Sequence, residues 1–172
     1  RGSETLKAKK KFKVQAGDKI VTGAKDQVFI RMIDKSKMII RPNSEVLLKD
    51  LVYEKKSTDK QETSVLKGGI RAVSGEIAKK NRDNVKFSAG TATIGIRGAV
   101  AFVEMTDEGT VRVTFFYGDE VTISPDGGGP TETLNQPGFR MEIQNDGAIQ
   151  TTRLNAAALA ALAKRVESPS GP

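Results

Sequence analysis

The residue types on which most enzyme chemistry depends are missing from this chain of 172 residues. It contains no His and no Cys, so it lacks the two commonest soft metal ligands and the usual partners of a nucleophile–base pair. Its carboxylates fall mostly at predicted turns and strand ends, and no pair is expected to face another across a cleft, as glycoside hydrolysis requires. We predict a non-enzymatic protein with no catalytic residue and no cofactor.

Two short acidic segments are the strongest candidates for a metal site. Residues 107–109 read Asp-Glu-Gly, and residues 126–127 read Asp-Gly. A hard cation such as Ca²⁺ needs several oxygen ligands at regular spacing, and neither segment supplies them. We therefore predict ordinary turns at both places and no metal-binding residue.

The segment that most favours a binding role contains Gly95, Arg97 and Gly98. Glycine weakens a strand, and it often marks a bulge or the close approach of another backbone. An arginine between two glycines can bind a carboxylate through two parallel N–H groups. That carboxylate belongs either to an Asp or Glu of a neighbouring strand or to a partner. The core-like pattern of Ile94 and Ile96 favours the structural role.

Positive charge is concentrated at the start of the chain. Residues 1–60 contain 16 Lys and Arg against 8 Asp and Glu, whereas residues 61–172 contain 12 against 13. The densest cluster consists of Lys7, Lys9, Lys10, Lys11 and Lys13. Such a cluster is typical of a solvated arm, but it also attracts anionic polymers such as wall polysaccharide, lipid headgroups or nucleic acid through salt-screened forces. Nucleic acid is the least favoured of these, because single-strand binders interleave stacking aromatics with their charges and this cluster has only Phe12.

From residue 12 to about residue 150 the sequence has the pattern of β structure. Runs rich in Val, Ile and Thr alternate with turn signals. Residues 28–33 place Phe29, Arg31 and Ile33 on the face opposite Val28, Ile30 and Met32, and with the turn and return run over 34–40 they make a hairpin. This pattern predicts an all-β fold, either an antiparallel β-sandwich or a short β-solenoid built from hairpins.

The remaining segments are loops, turns and one helix. Residues 54–62 are all polar and predict a solvated loop at a hairpin tip, and residues 78–84 predict a charged turn. Residues 125–130, Pro-Asp-Gly-Gly-Gly-Pro, carry the strongest loop signal. An alanine-rich run that places Leu154, Leu159, Leu162 and Val166 near one stripe predicts a C-terminal α-helix whose apolar face covers the core. The basic arm and the loops over 54–62 and 125–130 are the candidate partner surfaces.

These elements give the expected domain boundaries. A basic N-terminal arm covers residues 1–13, a β domain covers 14–150, the C-terminal helix covers 151–167 and a tail covers 168–172. The first three residues, Arg-Gly-Ser, are typical of the remnant of a cleaved tag. We expect any signal peptide to have been removed with the segment that preceded them.

Five motifs in a fixed order resemble the FecR-type domain. They are the "GD-x-I-x-T-G" opening at residues 16–23, the "DGS … PNS" hairpin at 33–46, the "G-x-[LI]-R-A-V-x-G" segment at 67–75, the "A-T-x-G-[IV]-R-G-T" run at 92–98 and the "G-x-V-x-V" strand at 117–123. The resemblance covers roughly residues 16–150. It assigns Gly17, Asp18, Asn43, Gly95, Arg97 and Gly98 to the family motifs, where we expect structural roles.

This resemblance implies an all-β module that works outside the cytoplasm. We expect a periplasmic or secreted bacterial protein, peripheral to the membrane at most, that senses or scaffolds by binding another envelope protein. One alternative is a binder of anionic polymer through the basic arm. The other is the periplasmic signal-receiving part of a transporter-linked sigma-factor regulator, which requires a membrane span and a cytoplasmic segment in the full-length precursor.

Two positions depart from the family pattern. The usual Gly of the "DGS" turn is Lys35, so the turn must either avoid a positive φ there or carry strain. The Thr that usually follows Arg-Gly is Ala99, which removes a hydroxyl close to Arg97.

Overall fold

The computed structural model describes residues 4–165 and residue 167. The expected tag remnant at residues 1–3, the predicted tail over 168–172 and Val166 lie outside that description. The elements in chain order are β1 (Lys19–Val21), β2 (Val28–Arg31), β3 (Lys37–Ile40), β4 (Glu45–Val52), β5 (Lys60–Val73), α1 (Glu76–Lys80), β6 (Val85–Ala89), β7 (Ala92–Arg97), β8 (Val100–Met105), β9 (Val111–Tyr117), β10 (Glu120–Pro125), β11 (Glu132–Leu134), β12 (Phe139–Ile143), β13 (Ile149–Arg153) and α2 (Ala156–Arg165).

Strand β5 organises the whole sheet because its two halves pair with different neighbours. Its first half lies in the strand order β1-β4-β5-β6-β7-β10-β11, and its second half lies in the order β2-β3-β5-β8-β9-β12-β13. The change of partners falls at Gly68, whose φ is +70°. A Cβ at this position would come 2.7 Å from the carbonyl oxygen of Asn43, so the bend needs glycine.

The core lies on the inward faces of these strands and follows the alternation seen in the sequence. Its largest fully buried side chains include Ile40, Ile70, Ile94, Phe115, Ile123 and Met141. Residues of β2 alternate as predicted, with Ile30 buried and Phe29 exposed. The predominantly β class is therefore confirmed, and the sheet is a single mixed one of 13 strands.

The expected antiparallel pairing is confirmed only in part, because β5 and β6 run parallel. The chain between them is not a tight hairpin turn. It contains α1 and a 3-10 turn at Arg82–Asn84, in the segment predicted as a charged turn. This helical crossover carries the chain back so that β6 starts beside the beginning of β5, as a parallel connection requires.

The C-terminal helix is confirmed but is shorter than predicted. Residues 151–153 belong to β13, which pairs with β12, and α2 begins only at Ala156. The β-branched Thr151 and Thr152 suit a strand better than a helix. Leu162 of α2 packs with Phe102 on the outer face of the sheet, flanked by Leu154 and Phe116, so the helix covers a satellite cluster and not the main core.

The predicted polar loop over 54–62 ends earlier than expected. β5 begins at Lys60, and Gln61 and Thr63 face inward with exposures of only 2% and 1%. Because these inward-facing residues are polar, the sequence does not show the apolar–polar alternation by which a strand is recognised. A salt bridge of 2.5 Å between Lys60 and Asp50 holds the start of β5 against β4.

Candidate functional site

The family motifs form four junctions between segments of the fold, and the first junction lies at the start of the β domain. Asp18 is 7% exposed, and its Oδ2 accepts a 2.9 Å hydrogen bond from the Gln15 amide. Gly17, at φ +86°, donates its amide to the carbonyl of Leu48 at 2.7 Å, and Leu48 donates back to the carbonyl of Asp18 at 3.0 Å. Both motif residues therefore anchor the chain ahead of β1 to β4.

The second junction joins the opening motif to the "PNS" turn and to the bend of β5. Thr22 Oγ1 accepts the amide of Ser44 at 2.9 Å and donates to the carbonyl of Arg41 at 2.6 Å. Ser44 Oγ, on a fully buried residue, accepts the amide of Gly69 at 3.0 Å. Asn43 has φ +55°, a left-handed conformation that asparagine tolerates better than most residues. Its backbone turn lets Ser44 reach β5.

The third junction surrounds the tip of the β2–β3 hairpin. Asp34 is fully buried, and its Oδ1 accepts hydrogen bonds from the Ser36 amide at 3.0 Å and the Ser36 hydroxyl at 2.7 Å. The Asp34 carbonyl accepts the Glu76 amide at 2.8 Å, which ties the hairpin to α1. A Cβ on Gly75 would come 2.6 Å from the same carbonyl oxygen, so only glycine fits there.

Outside that buried carboxylate, Glu76 accepts hydrogen bonds from both Lys35 and Tyr53. The hydrogen bond from Lys35, followed by that from Tyr53, lowers the pKa of Glu76 to about 2. The hydrogen bond to Glu76, followed by desolvation, raises the pKa of Tyr53 to about 12. Lys35 has φ +68°, so the turn carries a strained lysine where the family pattern has glycine. The ion pair with Glu76 is a favourable contact that this lysine makes from that conformation.

The fourth junction joins the segment after β5 to the turns at Gly98 and Gly118. Ser74 Oγ accepts the amide of Ala99 at 3.0 Å, and the Ser74 amide donates to the Ala99 carbonyl at 3.1 Å. A Cβ on Gly118 would lie 2.9 Å from the carbonyl carbon of Gly98. The two turns therefore approach each other more closely than any side chain would allow.

Arg97 is the last residue of β7, next to the turn at Gly98, and its side chain is 48% exposed. It lies directly opposite Glu120 of β10, and Arg97 Nη1 is 3.7 Å from Glu120 Oε1. β7 keeps regular register with both neighbours, so of the two features that its glycine can mark, a bulge or a close approach, β7 has no bulge. Gly95 instead permits a close approach, because a Cβ there would come 2.6 Å from Thr122 Oγ1.

A cleft of about 220 Å³ opens beside Arg97. Its polar lining mixes both signs of charge with hydroxyl groups, and comprises Asp83, Lys86, Thr93, Arg97, Glu120, Thr122 and Ser124. The arrangement can bind a small polar group, but its charges are mutually compensating and it offers no nucleophile with an adjacent base. The structural role of Arg97 stays the favoured prediction, and binding of a partner by Arg97 stays the alternative.

The basic arm is exposed along its length. Lys7, Lys9, Lys10, Lys11 and Lys13 are all exposed, and residues 4–13 form neither helix nor strand. Val14 packs against the core, and a β domain that begins at residue 14 stays a prediction. The lysines are therefore presented to solvent from one end of an anchored domain.

A further surface was missed when candidate partner sites were chosen from the sequence. Phe29 and Ile33 are 51% and 65% exposed, and Arg31 between them is also exposed. Within the part of the chain that the structure describes, β2, which carries Phe29 and Arg31, pairs only with β3. The signal was present in the alternation of residues 28–33, which assigned these side chains to one face, but the sequence alone did not show that the strand lies at an edge.

Within the described residues, no group of three or more His, Cys, Asp or Glu side chains is placed to hold a metal ion. Over the same part of the chain, no helix has the length and apolar character needed to cross a membrane.

The sequence profile described as FecR protein matches residues 18–119, which run from the opening motif to the turn after β9. This chain therefore belongs to the FecR protein family, as the five motifs indicated. Curated proteins include no match to the chain.

Two crystal structures of a candidate anti-sigma factor from Parabacteroides distasonis have a similar fold, with TM-scores of 0.63 and 0.65. Each is 13% identical to this chain and covers 84% of it. The chain in turn spans 64% and 63% of those proteins, a little under two thirds of their length. At this identity the likeness establishes the fold.

Proposed function

We propose that this chain is a non-enzymatic interaction module of the bacterial cell envelope that works outside the cytoplasm in sensing or scaffolding. The proposal rests on one observation, namely that the motif residues make their hydrogen bonds within the fold. The polar groups of Asp18, Thr22, Asp34, Ser44 and Ser74 bond to backbone or side-chain groups within the fold. These groups hold turns together, while apolar side chains such as Phe29 and Ile33 remain in solvent.

This distribution supports binding more than catalysis. An active site concentrates reactive groups with perturbed pKa values in a cleft. Here the two residues with strongly shifted pKa values, Glu76 and Tyr53, form a hydrogen bond with each other beside the tip of a hairpin. Exposed apolar side chains beside unpaired strand edges are typical of protein-binding surfaces.

The interaction role is tested by recovering partners from an envelope extract with the immobilised chain. We expect an envelope protein to bind wild type and to be lost from the Phe29→Asp variant, while the exposed Thr151→Asp variant on β13 retains it. Failure to recover any partner at low and at high salt would count against the proposal.

The location is tested with the full-length gene product. We expect protease to degrade it in spheroplasts with a permeabilised outer membrane and to spare it in intact cells. Protection in both preparations, with release only on cell lysis, would place the protein in the cytoplasm and overturn this part of the proposal.

The basic arm supports a second candidate function, binding of an anionic polymer. Its five lysines are exposed together on residues 4–13, and such contacts weaken steeply with added salt. Deleting residues 4–13 should remove binding to anionic vesicles or wall polysaccharide without changing the stability of the β domain. Unchanged binding after the deletion, or binding insensitive to salt, would end this alternative.

A more specific form of the proposal is the signal-receiving part of a sigma-factor regulator. It is supported by the FecR family match and by a fold shared with a protein described as a candidate anti-sigma factor. Its test is the uncut precursor, which must encode a membrane span and a cytoplasmic segment. A precursor with neither would reduce the role to scaffolding or sensing without a sigma factor.

A further inference from the structure

The backbone of β2 has free hydrogen-bonding groups along one edge. Met32 donates its amide to the carbonyl of Ser36 at 2.9 Å, and Ile30 lies opposite Met38. In an antiparallel pair, alternate residues exchange both hydrogen bonds with the neighbouring strand. Positions 28, 30 and 32 therefore bond to β3, and the N–H and C=O groups of Phe29 and Arg31 point away from it, where no further strand pairs among the described residues.

The side chains that accompany this edge alternate in character. Phe29 and exposed Arg31 share a face of β2, with Phe29 51% exposed, and Ile33, which is 65% exposed, lies in the turn that follows the strand. Residues two apart along an extended strand lie on one side of the sheet. The edge thus presents an apolar and a cationic side chain on one face, and Ile33 adds an exposed apolar side chain at the turn.

Positive charge on this face is not compensated within the described part of the chain. Arg31 lies directly opposite Lys37 in a non-hydrogen-bonded pair, the pairing that brings side chains closest. Arg71 of β5 lies beside the same hairpin, opposite Ile39. Among the described residues, no Asp or Glu forms a salt bridge with Arg31, Lys37 or Arg71. Like charges directly across a sheet are unfavourable, so an external carboxylate would relieve a repulsion already present.

We propose that the free edge of β2 binds an extended acidic strand of a partner protein, with a carboxylate facing Arg31, an apolar side chain two positions to one side facing Phe29, and a second apolar side chain on the other side contacting Ile33 in the adjoining turn. Main-chain hydrogen bonds to Phe29 and Arg31 would give affinity, and the side chains would give specificity, as in other cases of strand addition. This inference rests on the proposed interaction function and names the partner's chemistry at one edge.

The charge also argues against a second copy of this chain as the occupant. Pairing two β2 strands side by side would bring the cations of one copy toward those of the other. Charged residues on an edge strand protect it from self-association, and the same cations accept a strand of opposite charge.

The test uses two short synthetic peptides that differ only in the central residue. Each has alternating Thr, with Ile two positions before and after the centre, and the centre is Glu in one and Lys in the other. Titration into the isotopically labelled chain, followed by amide hydrogen exchange, should show binding of the Glu peptide alone. The exchange of the Phe29 and Arg31 amides should slow, and added salt should weaken the binding.

A charge swap separates this role from a structural one. Arg31→Glu should weaken binding of the Glu peptide about tenfold or more. The same variant should gain affinity for the Lys peptide. Arg153→Glu, which reverses an exposed cation on the β13 edge, should leave both affinities unchanged. Thermal melts of both variants check that each is folded.

Three outcomes would overturn the inference. They are binding of both peptides alike by wild type, protection of β13 amides in place of Phe29 and Arg31, and protection of Phe29 without peptide in a concentration-dependent dimer. A lack of any peptide binding, combined with an envelope partner that is still recovered by Phe29→Asp, would end this inference while leaving the interaction function intact.

Discussion

The functional groups of the family motifs act mainly as hydrogen-bond partners for backbone at turns. Ser44 and Ser74 each accept an amide from a distant strand or turn, and Asp34 organises the hairpin tip from a fully buried position. A buried N–H group without a partner is costly, so each of these side chains is needed wherever the chain turns inside the fold. The spacing of the motifs along the sequence therefore reflects which turns contact one another in the fold.

Removing the Ser44 hydroxyl tests this interpretation. Ser44→Ala leaves the buried amide of Gly69 without its side-chain partner, which should lower the free energy of unfolding by about 1–3 kcal/mol. Urea denaturation measures the change. The exposed Ser57→Ala variant is the matched control and should change stability little. An effect of Ser44→Ala no larger than that of the control would contradict the structural role.

The hairpin tip should also make stability depend on pH. The pKa of folded Glu76 is about 2, below its ordinary value of 4.5, so its ionised form stabilises the fold. That contribution is complete above pH of about 5 and is lost as the pH falls toward 2. Wild type should be more stable than Glu76→Gln at neutral pH, and the difference should shrink in this acid window. A constant difference across the window would show that Glu76 ionisation is not linked to folding.

The strands show how far the sequence predicts this fold. Alternation located β2, and the return run of the same hairpin located β3, because the core faces of both strands carry only apolar side chains. It failed at the start of β5, where Gln61 and Thr63 face inward, and at β11, which has only three residues. Pairing order was not predictable either, since the parallel β5–β6 contact depends on where the crossover returns the chain.

Helix α2 should detach without unfolding the β domain. Leu162 is its one buried residue, and it packs on Phe102 away from the main core. Glu104 adds an ion pair to Arg165 at 3.5 Å, which is too exposed to hold the helix alone. Leu162→Asp should abolish hydrogen-exchange protection in α2 and leave the β5 amides protected. The exposed Ala161→Asp variant should change neither, and global unfolding by Leu162→Asp would show that α2 is part of one cooperative unit.

At the level of the whole domain, the fold has two halves that share β5 and leave edge strands at β1, β2, β11 and β13. Among these, β2 combines exposed apolar side chains with uncompensated cations. The candidate surfaces chosen from the sequence were loops and the basic arm, because strand edges are defined only by the assembled sheet. The position of β2 at an edge of the sheet could therefore not be predicted from the residue types alone.

Photo-crosslinking in cells tests whether this chain works as an interaction module. A photoreactive residue replaces Ile33, beside the β2 edge, or Thr151 on the β13 edge, in the full-length protein expressed in its own host. We predict a crosslink to another envelope protein from position 33 and none from position 151. Equal crosslinking from both positions, or no crosslink from position 33 under any growth condition, would contradict the proposed function at this edge.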